Sequence, residues 1–176
     1  MPDYTDKAKD LAHAVTHTGL ELRKWYDPSK PITDKQTITP FYPWFRLAEF
    51  YLNYAEAAYM CGKEDICREY INKVRARVGM PAVTESGESL WDRLVNERRI
   101  EMCFENKRFW DLRRWKVDLD QLNATTKGMD VTQEGGALKY NVIEVENRNY
   151  KDYMYYGPIP DGEVRKWSNL DQNTGW

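Results

Sequence analysis

The stretch WFRLAEFYLNYAEAAYM (residues 44–60), followed after a short CGK turn by EDICREYINKVRARV (64–78), decides how this chain folds. In the first segment Leu47, Phe50, Tyr51, Tyr54, Ala55 and Ala58 recur at helical spacing, which predicts an amphipathic helix ending at Gly62. In the second, Ile66, Tyr70, Ile71, Val74 and Val78 mark one face of another helix. Gly79 supplies a left-handed C-terminal residue and Pro81 forbids continuation. Two helices of similar length joined by a tight turn form an αα-hairpin.

Trp44, Leu47, Ala48 and Tyr51 match the first half of the tetratricopeptide spacing, while Cys67, Ile71 and Val74 fit its second half less well. One such repeat does not stand alone, so the pair must pack on something else. Downstream, Ser89 heads the capping-box-like SLWD of a third helix running to about Glu105. Asn106 is suited to a left-handed turn, and a short fourth helix is expected over about Lys107 to Trp115. Beyond it NATTKGMDVTQEGG (123–136) reads as a loop and ALKYNVIEVENR (137–148) as strand-like. YYGPIPDGE (155–163) reads as a proline-fixed turn, and NLDQNTGW (169–176) as an ordered polar coil. Upstream, residues 1–43 are poorly periodic, and 27–43 carry four prolines. The expected fold is therefore mainly α: a tetratricopeptide-like hairpin plus further helices, an irregular loop-rich part and little β. One domain over 1–176 is expected, divided into a lead-in (1–43), a helical core (44–115) and a loop-rich tail (116–176).

The 176 residues suffice for a buried core without staples, and 26 basic against 28 acidic residues leave a formal charge of -2. That balance provides no whole-molecule field for nucleic acid or an anionic membrane. Aromatics reach 14%, alongside a mean hydropathy of -0.80. Such a polar, ring-rich composition suits interfaces and sugar faces. Cys61, Cys67 and Cys103 lack metal spacing, and their odd number argues for buried free thiols over a disulfide framework. No apolar run approaches the length of a membrane span, and no signal-peptide core is visible.

Charge concentrates in ERRIEMCFENKRFWDLRRW (97–115). Glu97 and Glu101, or Glu101 and Glu105, fall on one helix face about 6 Å apart, a separation a retaining glycosidase uses. Yet a general acid needs a raised pKa, and Arg98, Arg99, Arg108, Arg113 and Arg114 crowd the same stretch. Six basic and four acidic residues leave a surplus of two, too diluted for a polyanion surface. The i,i+3 spacings Glu105–Arg108, Arg108–Asp111 and Asp111–Arg114 favour a structural ion-pair lattice of Glu97, Arg98, Glu101, Arg108, Asp111 and Arg114. His13 and His17 share a helix face but lack further ligands, so no metal or cofactor is called for. Trp25, Tyr26, Tyr150, Tyr153, Tyr155, Tyr156 and Trp167 lie on loops, where exposed rings stack on sugars.

Four motifs in order, RLAEFYLNYAEAA (46–58), INKVRARVGMP (71–81), ERRIEMCFENKRFWDLRRW (97–115) and PIPDGEV…NLDQNTGW (158–176), resemble the C-terminal region of the SusD/RagB family. TGLELRKW (18–25) is similar to the stretch that precedes it. Asn106 stands where glycine is usual, Thr174 where proline is usual, and Gly157 where an apolar residue is usual. The resemblance implies a helical, tetratricopeptide-like fold in a surface-exposed outer-membrane lipoprotein of Bacteroidetes-type bacteria. It implies a binding protein, not an enzyme, that captures oligosaccharides or, in some members, peptides and caps a TonB-dependent transporter. Family members are longer, with a leader and a lipidated cysteine upstream, so this chain is expected to be a C-terminal piece, tied to a membrane only through an anchor outside it. No ligand residue transfers by motif. Loop aromatics Trp25, Tyr26, Tyr153 and Trp167 are therefore the expected ligand contacts, and a protein-interaction module without sugar binding is the alternative.

Overall fold

The computed structural model describes Lys24, Trp25 and residues 42–176. His13, His17, Tyr26 and most of the lead-in lie outside the described residues. Contacts divide the described chain into two compact units, Lys24–Asp111 and Leu112–Trp176. The fold is mainly helical with little β.

The first unit holds α1 (Leu47–Met60), α2 (Glu64–Ala76) and α3 (Gly87–Glu101). α1 packs against both α2 and α3. Gly62 and Gly79 turn the chain at φ 71° and 68°, ending α1 and α2 where the sequence places those turns. Leu52, Ala55 and Ala58 meet Cys67, Ile71 and Val74, with Val83, Leu90, Leu94 and Met102 closing the core. Tyr51 and Tyr54 contact Tyr70 edge-on at 5.5 and 4.5 Å, and Tyr59 lies 5.2 Å from Trp91.

Three expectations for this unit change. α1 begins at Leu47, not Trp44, and its buried line runs through Glu49, Leu52, Ala55, Glu56 and Ala58. Trp44, Leu47, Phe50 and Tyr54 are exposed, although the motif spacing assigns Trp44 and Leu47 to packing. In a tandem array those positions meet a neighbouring repeat; among the described residues no helix precedes α1. Ser86, not Ser89, occupies the cap position of α3, and the helix stops at Glu101. Phe104 and Asn106 then take φ values of 62° and 58°, so the expected left-handed turn at Asn106 comes with a second at Phe104. Of the cysteines only Cys67 is buried, while Cys61 and Cys103 are exposed; all three are free. Burial pushes the Cys67 thiol up to about 11, with the Arg68 charge opposing and Glu64 assisting.

α4 (Arg108–Arg114) carries the chain across the boundary between the units. The second unit then contains α5 (Leu119–Leu122), β1 (Thr126–Glu134), β2 (Ala137–Glu146), a 3₁₀ turn (Asp152–Tyr155) and α6 (Asp161–Val164). β1 occupies residues read from sequence as loop. Gly135 and Gly136, both at positive φ, make the two-residue turn that pairs Glu134 with Ala137 and Val131 with Tyr140. The polar composition of β1 hid it; the Gly-Gly pair was the signal.

Prolines and amides order the tail. Ile159 sits between Pro158 and Pro160, which have no N–H to offer. The Gln172 side chain accepts from Ile159 N–H and donates to its carbonyl, both at 2.8 Å. Asn173 donates to the Gly157 carbonyl at 2.7 Å, and the Trp176 indole donates to that of Tyr156 at 2.9 Å. The two halves of the last motif are thus a hydrogen-bonded pair, which explains their joint appearance. Among the described residues no helix is long and apolar enough to cross a membrane, and no cluster of His, Cys, Asp and Glu has metal-site geometry.

Candidate functional site

Residues 97–111 of the charged stretch build a framework inside the first unit. Arg98, on the buried side of α3, donates through Nε to Asp111 at 2.7 Å and through Nη1 to Asn53 of α1 at 2.6 Å. Arg75 of α2 is also buried; it donates to the Pro81 carbonyl at 2.8 Å and to Glu97 at 2.6 Å. Asn72 holds Val83 by accepting its N–H at 2.7 Å and donating to its carbonyl at 3.2 Å. Motif residues from α2 therefore fasten the 80–85 connection and the start of the charged stretch. Arg108 and Arg114 belong to α4.

Glu101 and Glu105 face a different set of cations. Arg46 donates through Nε to both Glu105 oxygens at 2.9 and 2.7 Å, and through Nη1 to Glu101 at 2.6 Å. The Lys24 ammonium donates to the Glu101 carbonyl at 2.8 Å, the Cys103 carbonyl at 2.9 Å and the Glu105 carboxylate. Burial opposes ionisation of Glu105, but hydrogen bonds from Arg46 and Lys24 outweigh it and hold its carboxyl below the ordinary range. Burial likewise pulls on Arg46, and its hydrogen bonds to Glu105 and Glu101 leave its pKa raised.

Above this network lies an open cleft of about 540 Å³ lined by Lys24, Trp25, Arg46, Arg77, Ile100 and Glu101. Trp25 is half-buried and adopts φ 72°, a left-handed conformation that a bulky side chain rarely takes. Its ring lies 5.4 Å from that of Tyr42, which in turn lies 6.2 Å from Trp44 in an edge-on contact. Three rings thus form a row beginning at the cleft, with Tyr42 43% and Trp44 78% exposed. Lys24 sits 5.2 Å from the Trp25 ring centre. The arrangement offers apolar ring faces beside fixed charges, the composition that a sugar's C–H faces and hydroxyls meet well.

The remaining expected contacts belong to the second unit. Tyr153 is half-buried, its ring packed edge-on against Trp176 at 4.8 Å, with Gly175 pressed against it. Trp167 is 66% exposed. Trp44 enters the sequence analysis only as a repeat position and Tyr42 not at all, yet both rings join the row that begins at Trp25. Their placement on either side of Pro43, ahead of the first helix, was the available signal.

The described residues form a mainly helical scaffold, and the chain belongs to the SusD family, whose model matches residues 4–176. It is 28% identical over 165 residues to the starch-binding protein SusD of Bacteroides thetaiotaomicron, covering 90% of this chain and 26% of that protein. It also resembles the crystal structure of a SusD-like protein from Bacteroides fragilis NCTC 9343, with a TM-score of 0.80 and 34% identity. That likeness covers 92% of this chain and 31% of the other. The chain therefore spans between about a quarter and a third of the length of these relatives.

Proposed function

We propose that the chain serves oligosaccharide capture as a non-catalytic part of a glycan-binding protein, with Trp25, Tyr42 and Trp44 as its sugar-facing rings. The observation carrying this reading is the aromatic row at the mouth of a charged cleft. Membership of a family that includes a protein named as starch-binding supports the same class of ligand. The carboxylates a glycosidase would need are committed elsewhere: Glu97 to Arg75, and Glu101 to Arg46 and Arg77. Tyr153 and Trp167 belong to the second unit and are proposed as ligand contacts of that unit by itself.

In this reading the whole protein sits at the outer-membrane surface on a lipid anchor and hands its ligand to a TonB-dependent transporter. Phe45, Leu47, Phe50 and Tyr54 give a protein partner an apolar face on and before α1; the same face is what favours a protein-interaction module as the second reading. Calorimetry of the chain and of its full-length parent against starch oligosaccharides and a broad glycan panel tests the proposal. Weak, enthalpy-driven binding is expected. Absence of heat from both proteins across the panel, with a protein partner retained in pull-down, would establish the second reading instead.

A further inference from the structure

The charges around the cleft are unequal in how far they are spent. Lys24 has three ammonium protons and three acceptors, the Glu101 and Cys103 carbonyls and the Glu105 carboxylate. Arg46 engages Nε, Nη1 and Nη2 with Glu105, the Glu101 carboxylate and the Glu101 carbonyl, the last at 2.5 Å. Arg77 is different. Placed at the C-terminal end of α2, it is 63% exposed and reaches Glu101 only at 3.5 Å. Among the described residues of this network, three cations (Lys24, Arg46, Arg77) face two carboxylates (Glu101, Glu105), and Arg77 is the cation held least closely, at the cleft wall. Trp25 lines the same cleft, and Ile100, 61% exposed, gives it an apolar flank.

A guanidinium that is largely exposed and only loosely paired, in a cleft also lined by an aromatic ring, matches a ring that bears one planar carboxylate. The two oxygens take parallel N–H bonds while the C–H face of the ring meets Trp25. We propose that this cleft selects a carboxylate-bearing sugar unit of the uronic acid type, with Arg77 as the carboxylate receptor and Trp25 as the stacking face. The inference rests on the glycan-capture reading and narrows it to acidic glycans. One loosely held guanidinium suits one carboxylate per unit. The bidentate fork favours planar carboxylate over tetrahedral sulfate esters.

The test is calorimetric titration of the chain with galacturonate trimer, neutral galactose trimer and an O-sulfated galactose trimer. Wild type is expected to bind the uronate trimer at least ~10-fold more tightly than the neutral one, a gap that narrows as salt rises. Arg77→Ala should bring uronate binding to the neutral level, and Arg77→Lys, which keeps charge without the fork, should restore only part of the preference. Trp25→Ala should weaken both. Binding of the neutral trimer with no uronate preference overturns the inference and leaves glycan capture standing. Preference for the sulfated trimer over the uronate also overturns it. Binding of none of the three, with no heat across the wider glycan panel, overturns both readings.

Discussion

Arg98 shows what the charged stretch does at the scale of one side chain. Its guanidinium reaches Asp111 and Asn53 at once, and the ion pair's side chains are 6% and 4% exposed. Removing either partner strands a buried charge, so Arg98→Ala should cost about 3–5 kcal/mol in chemical denaturation. Replacing the exposed neighbour Arg99, which reaches only Asn96 at 3.1 Å, should cost less than about 1 kcal/mol. Equal losses for the two variants would contradict a buried framework. The arginine–carboxylate character of this stretch was legible from its alternating signs. Its partners were not, because Arg46, Arg75 and Asn53 lie 22–59 residues away from the groups they hold. Spacing along one helix says nothing about such pairs. For Glu105 it pointed to Arg108 at i,i+3, whereas the carboxylate is held by Lys24 and Arg46.

At the scale of elements, periodicity located the helices well and their faces less well. α1 and α2 begin or end within a few residues of the expected positions, since Gly62, Gly79 and Pro81 are strong local stops. The buried face of α1 turned on alanines instead: Ala55 and Ala58 allow close approach of α2, and the larger rings rotate to the rim. Short polar strands are harder still, and β1 emerges only through its Gly-Gly turn. The tail has its own local requirement at Gly175. Its φ is 94°, and a Cβ there would stand 2.7 Å from the Tyr153 Cβ. Gly175→Ala should detach the Trp176 ring from Tyr153, raising hydrogen exchange over 172–176 while leaving α1–α3 protected. Unchanged exchange in that segment would show that the tail does not depend on this approach.

For the molecule as a whole, the depressed carboxyls set an acid limit to stability. Glu105 sits below its ordinary value of 4.5 and Glu85, hydrogen-bonded to Arg93 and to backbone amides, falls to about 2. A carboxyl lowered on folding contributes stability above its unfolded value, and that contribution is lost as pH falls below about 4.5. Urea midpoints should therefore decline from pH 5 towards pH 2. Glu105→Gln should lower the midpoint at pH 7 and flatten the decline; a wild-type midpoint constant over that range would contradict the assignment. Family and helical class were readable from four ordered motifs. The cleft was readable only in part, through Trp25, because a site assembled from residues 24, 46, 77 and 100 has no local spacing. The motifs name the scaffold, while the proposed ligand contacts lie largely beside it. The most direct measurement of that claim is parallel calorimetry of wild type and a Trp25→Ala/Trp44→Ala variant with the tightest-binding oligosaccharide, each protein's melting temperature checked alongside. The account predicts roughly 5- to 150-fold weaker binding, from two aromatic contacts of about 0.5–1.5 kcal/mol each, with melting little changed. Undiminished affinity in the double variant would place the sugar elsewhere and contradict it.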